Sequence, residues 1–390
     1  MCGIVGILGN NEAAPILVDA LKKLEYRGYD SAGIATINNG ILERRRETGK
    51  LVNLADKLVH QPLKGKAGIG HTRWATHGSP SVINAHPHKA GKVAVVHNGI
   101  IENFKALRDE LKSDGAKFET ETDTETVVQL CMQFLDNGKT PIQAVEKTIA
   151  RLEGAYALCF LFECDENLLI AARKGSPLAV GHGNGEMFVD SDAIALAPMT
   201  NKVTYLEEGD YAVITREKLE IRDINGTVTK REMKTLMLSA QNVQKGTYKH
   251  FMAKEIFEQP SVLSNAINYN LNSDSDQVAM PDLDLDFNKI NNITMVACGT
   301  AFLACHVAKY WFEKIARIPV ELDVASEFRY REPPVDADGL AIFVSQSGET
   351  ADTLAALRYC NQNKMNTVGI VNVDESTLSR EAAISMQIHA

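Results

Sequence analysis

The 390-residue sequence has no long apolar run, no low-complexity tract and no excess of basic residues. No stretch approaches the roughly 20 apolar residues that span a bilayer. The first positive residue, Lys22, lies well behind the apolar run Ile4–Leu8, which a secretory signal would not show. The formal net charge of −9 argues against a general affinity for nucleic acid or an anionic membrane. We therefore expect a cytoplasmic protein with no nucleic-acid or membrane partner.

Cysteine is sparse and follows no pairing pattern. The seven cysteines are scattered, mostly through apolar runs, at positions 2, 131, 159, 164, 298, 305 and 360. An odd, irregularly spaced set indicates a reducing compartment rather than a disulfide framework. His86 and His88 form the only close histidine pair, and no carboxylate or cysteine cluster stands near them at metal-ligand spacing. We expect no metal, and no motif suggests a nucleotide or pyridoxal cofactor.

The length and the hydrophobic pattern predict two domains joined by a linker. A prior of about 150 residues per domain gives two or three units. Residues 1–224 alternate β-rich runs with amphipathic helices, which predicts a layered α+β domain of antiparallel sheets with helices on their outer faces. Residues 225–250 are polar and predict the linker. One helix, starting beside Asp123, is expected to begin with a capping box from Thr122 to Glu125.

Residues 251–390 predict a second domain of a different kind. After one helical stretch comes the acidic, turn-rich segment 272–286, which we expect to be a solvated loop. From residue 291 onward four buried apolar strands alternate with helices, which predicts a parallel, doubly wound α/β sheet. Four strands make a thin sheet for such a fold. In these sheets ligands bind at the carboxyl ends of the strands, where two hydroxyl-rich loops fall.

The cysteine directly behind the initiator methionine is a candidate nucleophile. Removal of Met1 would leave Cys2 with both a thiol and the free α-amino group of the chain. That amino group titrates at about 8, so it can accept the thiol proton near neutral pH and serve as the base. From these two residues alone, a buried strand cysteine is the commoner explanation.

Three further stretches offer groups that could bind a substrate. "HTRWATHG" (71–78) contains Arg73, whose guanidinium can hold a carboxylate through two hydrogen bonds or make only a surface salt bridge. "VAVVHNGII" (93–101) contains Asn98 and Gly99, an amide beside an uncovered N–H, which suit an oxyanion hole or an ordinary Asn-Gly turn. Asp123 could pair with a ligand ammonium or simply cap its helix.

With these spacings, residues 1–240 resemble the class II, N-terminal-nucleophile glutamine amidotransferases. The resemblance implies a four-layer αββα sandwich in which the mature N-terminal cysteine attacks the glutamine side-chain amide and releases ammonia. It implies Cys2 as both nucleophile and base, with Asn98 and Gly99 as the oxyanion hole. The glutamine pocket that it implies consists of Arg73, Trp74, Thr76, His77 and Asp123.

The same resemblance assigns a role to each of these pocket residues. Arg73 would hold the α-carboxylate of glutamine, and Asp123 would hold its α-ammonium group. Thr76 and His77 would line the pocket. Trp74 would act in closing the site and gating the passage of ammonia.

The second domain carries a candidate anion site. "SQSGETADT" (345–353) follows a buried strand and opens a helix, and backbone N–H groups at a helix N-terminus bind anions. Hydroxyls add donors, and the absence of a P-loop lysine suits a sugar phosphate better than a nucleoside triphosphate. "ACGTAF" (297–302) occupies the equivalent turn of the preceding unit. Either turn alone could be an ordinary β–α connection rich in capping residues.

These turns resemble the sugar isomerase (SIS) domain. The resemblance implies that the phosphate is held by Ser345, Gln346, Ser347 and Thr350, and that the sugar pocket is lined by Cys298, Gly299 and Thr300. Ala301 stands where the family usually has serine, so one hydroxyl is missing from the sugar side. The family's second isomerase lobe would begin where this chain ends, and no lysine here can be assigned to a Schiff base with the sugar.

The two resemblances together imply an isomerising, glutamine-dependent sugar-phosphate aminotransferase. Such an enzyme converts fructose 6-phosphate and glutamine to glucosamine 6-phosphate and glutamate, the first step of hexosamine biosynthesis, and its isomerase domains pair, so we expect a homodimer. One alternative is a glutaminase joined to an incomplete sugar-binding module without synthase activity. Another is an amidotransferase that serves a phosphoribosyl or asparagine acceptor, which "SQSGET" disfavours.

Overall fold

The computed structural model describes residues 2–236, 248–272, 277–278, 285–373 and 375–388. Its internal contacts divide the chain into two compact units, residues 1–244 and 245–390. This division falls inside the segment 225–250 that the sequence predicts as a linker. Among the described residues, no helix combines the length and the apolar character needed to cross a membrane.

The first unit consists of antiparallel strands and helices that alternate along the chain. Its strands are β1 (Gly3–Leu8), β2 (Ser31–Asn38), β3 (Ile41–Thr48), β4 (Ala67–Arg73), β5 (His88–Ala90), β6 (Val93–Ile101), β7 (Gly154–Phe162), β8 (Asp165–Lys174), β9 (Ala179–His182), β10 (Met187–Asp190), β11 (Lys202–Tyr205), β12 (Tyr211–Ile214), β13 (Leu219–Arg222), β14 (Val228–Thr229) and β15 (Met233–Thr235). Its helices are α1 (Ala13–Lys23), α2 (Leu51–His60), α3 (Phe104–Ser113), α4 (Asp123–Asp136), α5 (Pro141–Ile149) and α6 (Ala193–Leu196).

The described strands of this unit form two sheets, in the orders β15-β11-β9-β10-β1-β4-β2-β3 and β14-β13-β12-β8-β7-β6-β5. Apolar side chains from both sheets interdigitate in one core, which includes Ile4 and Ile69 from the first sheet and Val96 and Cys159 from the second. The helices α1 and α2 pack on the outer face of the first sheet, and α3, α4 and α5 pack on the outer face of the second. The unit therefore has the four layers αββα that the sequence predicts.

The start of α4 differs in detail from the predicted capping box. Thr122 accepts a hydrogen bond from the Glu125 N–H at 3.3 Å, which is the expected cap. The Glu125 carboxylate does not return the bond to Thr122. It accepts instead from the backbone N–H groups of Glu119 and Thr120, at 2.8 and 2.7 Å. Glu125 thus orders the loop that enters the helix, and the prediction of a reciprocal capping box at this helix is wrong.

Part of the segment predicted as a linker pairs with the sheets. β14 pairs with β13 and β15 pairs with β11, so each is an edge strand, and an edge position accounts for the polar composition. Between them, Arg231 donates to both carboxylate oxygens of the fully buried Asp210 at 2.9 Å each. Residues 237–247 of the predicted linker lie outside the described residues.

The second unit contains a parallel sheet with helices in the connections. Its elements are α7 (Phe251–Asn270), β16 (Leu271–Asn272), β17 (Gln277–Val278), β18 (Ile293–Ala297), α8 (Gly299–Trp311), β19 (Val320–Val324), α9 (Ala325–Arg331), β20 (Leu340–Ser345), α10 (Ala351–Gln362), β21 (Asn366–Val371), α11 (Thr377–Glu381) and β22 (Ile384–Gln387). The parallel sheet has the order β19-β18-β20-β21-β22, which matches the predicted topology and adds one strand to the four expected. Most of the predicted loop 272–286 lies outside the described residues.

Candidate active site

The candidate nucleophile lies at the entrance to an interior strand. Cys2 directly precedes β1, which pairs with β4 on one side and β10 on the other. Because Gly3 lies opposite Thr72, Cys2 is brought to the end of β4, where Arg73 and Trp74 follow. The Trp74 N–H donates to the Cys2 sulfur at 3.2 Å, and the Cys2 thiol donates to the Trp74 carbonyl at 3.5 Å.

On balance, the surroundings of Cys2 favour the protonated form of its sulfur. Burial raises the pKa of the Cys2 thiol above its ordinary value, while the Trp74 N–H and the positive charge of Arg73 act in the opposite direction. A thiol is a much weaker nucleophile than a thiolate, so attack on a substrate requires a base to take the proton. This is the task that the sequence assigns to the α-amino group of a processed Cys2.

The two candidate oxyanion-hole residues lie in β6, beside Cys2. The Asn98 side-chain amide donates to the Cys2 backbone carbonyl at 3.3 Å. Gly99 has φ of 122°, and a Cβ built on it would lie 2.0 Å from the Ala155 carbonyl oxygen on the neighbouring strand β7. Only glycine fits this conformation and this gap. Since β6 extends past both residues, the Asn-Gly pair lies within a strand and is not a hairpin turn.

Arg73, the last residue of β4, is a buried cation without a carboxylate partner. Its guanidinium donates to the carbonyl oxygens of His77, Gly78 and Ser79, and only 3% of the residue is exposed. No carboxylate of the described residues lies within ion-pairing distance of it. Buried charges are normally paired, so the site can accept an anionic group.

The loop after Arg73 carries the remaining candidates of this pocket. Trp74 is 54% exposed, and its ring lies against Gly28, where an added Cβ would come within 3.1 Å. The Ala75 N–H donates to the Asp30 carboxylate at 2.6 Å, which anchors the loop. Thr76 is exposed, with its hydroxyl 3.4 Å from Nδ1 of His77.

Asp123 connects the start of α4 to the strand that carries Asn98. Its carboxylate accepts from the backbone N–H of Ile101 at 2.9 Å and from that of Thr124 at 3.0 Å. The helix cap itself is Thr122, so Asp123 is not needed for that role. Asp123 is 5% exposed and holds the end of β6 against the helix.

Sequence reasoning noted His86 and His88 only as a pair unsuited to a metal, and it missed the larger cluster of buried histidines behind these residues. The cluster consists of His71, His86, His88 and His97, and burial lowers the pKa of each of them, that of His71 to about 3. The first two rings lie 4.1 Å apart, and the Thr124 hydroxyl lies 2.9 Å from a nitrogen of His86 and of His97. The available signal was a histidine within each of two otherwise apolar strand patterns, β4 and β6.

In the second unit the two predicted loops lie at one edge of the sheet. β18 pairs in parallel with β20, with Ala297 opposite Val344, so the turns that begin at Cys298 and at Ser345 are neighbours. Gly299 opens α8 with φ of 59°, and both it and Thr300 are exposed. The sequence prediction that both loops share the carboxyl edge is therefore met.

The loop from Ser345 to Thr350 is held by its own hydroxyls. The Ser345 hydroxyl accepts from the Gly348 N–H at 3.1 Å and lies 3.1 Å from the Thr350 hydroxyl. Ser347 accepts from the Glu349 N–H at 3.2 Å, and Gln346 is exposed. The Thr350 side chain does not cap α10, so the helix N-terminus keeps its N–H groups available for a ligand.

Comparison with known proteins matches each of the two units to a known family. Residues 75–198 match the family described as glutamine amidotransferase domain, and residues 286–390 match the family described as SIS domain. Glutamine phosphoribosylpyrophosphate amidotransferase from B. subtilis has a similar fold, with a TM-score of 0.53 at 17% identity, over 99% of this chain and 90% of that chain. The chain thus shares its fold with a glutamine amidotransferase and carries a stretch that matches the SIS domain, and the predicted fold class is confirmed.

The more specific relationship is to the glutamine–fructose-6-phosphate aminotransferases. The chain is 57% identical to that enzyme from Brucella abortus over 98% of its own length and 63% of the relative's length. It is 54% identical to that of Zymomonas mobilis over its whole length and 64% of that protein. The resemblance inferred from the sequence is confirmed, and the chain spans less than two thirds of the relatives that it matches.

Proposed function

We propose that this chain carries the glutamine-hydrolysing and sugar-phosphate-binding parts of an isomerising glutamine–fructose-6-phosphate aminotransferase. The observation that carries the proposal is the convergence of Cys2 at the start of β1, the unpaired cation Arg73 at the end of β4 and Asn98 within β6. The reaction would convert fructose 6-phosphate and glutamine to glucosamine 6-phosphate and glutamate. The names and the high identity of the curated relatives support these substrates.

In the proposed first step, the Cys2 sulfur attacks the side-chain amide carbon of glutamine. The thiol proton passes to the α-amino group and then to the leaving nitrogen, which departs as ammonia. Asn98 and the Gly99 N–H stabilise the oxyanion of the tetrahedral intermediate. Water then attacks the thioester carbon, so that glutamate is released and the Cys2 thiol is restored.

The remaining pocket residues would position the substrate. Arg73 holds the α-carboxylate through two parallel hydrogen bonds, and Asp123 holds the α-ammonium group. Thr76 and His77 line the pocket. Trp74, which is exposed and has its ring against Gly28, closes the site and gates the ammonia.

For the second unit we propose a sugar-phosphate site at the shared loop edge. The phosphate contacts Ser345, Gln346, Ser347, Thr350 and the N-terminal N–H groups of α10, and the sugar contacts Cys298, Gly299 and Thr300. Ala301 supplies no hydroxyl there. We further propose a cytoplasmic homodimer, which sedimentation of the purified chain would test.

The test of the nucleophile is the release of glutamate from glutamine. The Cys2→Ala variant should lose glutaminase activity to background, whereas Cys164→Ala, an exposed cysteine elsewhere in the unit, should keep it. Glutamate can be measured by a coupled dehydrogenase assay. Retained hydrolysis in Cys2→Ala would end the assignment.

A second candidate is a glutaminase whose sugar module binds but does not convert the sugar. Assay of the purified chain with both substrates decides between them, because glucosamine 6-phosphate at a normal turnover would exclude it. Calorimetric titration with fructose 6-phosphate, repeated on Ser345→Ala, tests the sugar site separately.

A further inference from the structure

His71 is a fully buried histidine that has no role in the steps proposed above. It lies in β4 of the first sheet, opposite Ile4 of the strand that follows Cys2. Its Nε2 atom is 2.9 Å from the side-chain oxygen of Asn98 and 2.9 Å from the backbone carbonyl oxygen of His97. His71 therefore joins the first sheet, which carries Cys2, to the strand of the second sheet that carries the oxyanion-hole candidates.

The tautomer of His71 follows from these two contacts. A backbone carbonyl can only accept a hydrogen bond, so Nε2 must carry the proton. The other ring nitrogen, Nδ1, is buried and has no hydrogen-bond partner among the described residues, so it is unprotonated. Burial lowers the pKa of His71 to about 3, so the ring stays neutral at every pH at which the enzyme would work.

A donor at Nε2 fixes which way the Asn98 amide points. The amide oxygen must face the Nε2–H of His71, and the amide nitrogen must then face Cys2, whose backbone carbonyl it contacts at 3.3 Å. A rotation of the amide by half a turn would set two donors against each other at His71. It would also present the amide oxygen, an acceptor, to the oxyanion.

We propose that His71 is a positioning residue for glutamine hydrolysis, because its Nε2–H holds the Asn98 amide with the N–H donors turned toward the oxyanion. The inference rests on the proposed function. His71 does not touch the substrate, so it acts through Asn98 alone. The competing explanation is a purely structural role, since the ring also packs on His86 at 4.1 Å.

The two explanations differ in the kinetics of variants with and without an N–H at this position. His71→Leu fills the space but has no donor, whereas His71→Gln can place an amide N–H near the position of Nε2. We expect His71→Leu to lower the kcat for glutamate release by about 10- to 100-fold with little change in KM, because one oxyanion donor is lost from the transition state only. His71→Gln should recover most of the activity.

Two controls separate positioning from folding. His182 provides a matched histidine. It lies on β9, two strands away from β1, and its ring nitrogen is 2.8 Å from the Thr204 hydroxyl. His182→Leu should leave kcat unchanged. Alkylation of Cys2 by iodoacetamide does not use the oxyanion hole, so its rate should be the same in His71→Leu as in the unmodified chain. A lost alkylation rate would reveal general damage to the site and would overturn the proposal.

A double-mutant cycle gives the decisive comparison. In an Asn98→Ala background, His71→Leu should lower kcat no further, because there is no amide left to position. An equal additional loss in that background would show a structural role and overturn the inference, as would full activity of His71→Leu. If His71→Leu does not fold, His71→Asn, whose amide is too short to reach, replaces it in the same cycle. Absence of glutamate release by the unmodified chain would instead refute the proposed function.

Discussion

Replacing Gly99 with alanine tests whether the candidate oxyanion hole depends on a conformation that only glycine adopts. The φ of Gly99 is 122°, and an added Cβ would lie 2.0 Å from the Ala155 oxygen, 2.8 Å from the Ala155 carbonyl carbon and 3.0 Å from the Tyr156 Cα. All three are backbone atoms of β7, which also pairs with β8 on its other side. β7 therefore cannot move away without displacing a second strand.

Two costs add up at this position. Holding an alanine at such a φ costs about 1–3 kcal/mol of the free energy of unfolding. Forcing a methyl group into a filled space costs about 1–3 kcal/mol more. We expect Gly99→Ala to destabilise the first unit by about 2–6 kcal/mol, a large share of the about 5–15 kcal/mol that stabilises a typical protein. Glutaminase activity should fall by about 100-fold or more, because the Gly99 N–H is displaced.

Gly115 provides a matched control for the strain alone. It has φ of 94°, and nothing lies within 4 Å of an added Cβ. Gly115→Ala should therefore show only the conformational cost and keep its activity. Urea unfolding followed by circular dichroism measures both variants, with the transitions of the two units fitted separately. Equal unfolding midpoints for the two variants, or an active Gly99→Ala, would refute the reasoning.

Two further predictions concern Arg231 and Cys2. Arg231→Met should destabilise the first unit by about 3 kcal/mol, because it leaves the buried Asp210 carboxylate unpaired. As a control, Arg151→Met breaks an exposed ion pair and should cost less than about 1 kcal/mol. Urea unfolding measures both variants. Because burial raises the pKa of Cys2, the rate of its alkylation by iodoacetamide should keep rising with pH above about pH 9. Mass spectrometry of the N-terminal peptide measures this rate. A rate that reaches its plateau at about pH 7 would contradict the prediction.

The sequence was sufficient to predict the elements whose local pattern is strong. The strands β18 and β20 are continuous apolar runs followed by polar turns, so their parallel pairing and the shared edge of the two loops could be predicted. β22 was missed because its four residues are only half-buried and lack such a run. The motif around Cys2 is also local, so Cys2 could be identified from the sequence as a candidate nucleophile. In the structure the Asn98 side chain lies beside it.

What the sequence could not show are contacts between distant segments of different sheets. His71 and Asn98 are 27 positions apart and lie in strands that do not pair, so no periodicity relates them. Residues 206–210 connect β11 to β12, which belong to different sheets, and no local pattern marks this crossing. Arg231 appeared to belong to a linker because its role depends on Asp210, which is 21 positions away.

The pairing of β1 also bears on the order of events during synthesis. β1 needs β10 as one of its neighbours, and Ser191 binds Ile4 through both its N–H and its hydroxyl. Until residue 191 has been translated, the segment that carries Cys2 lacks one of the neighbours with which it pairs in the sheet. At about 5–20 residues per second, this interval lasts about 10–40 s. An N-terminal processing step within this interval would meet a terminus that is not yet held by its full strand pairing.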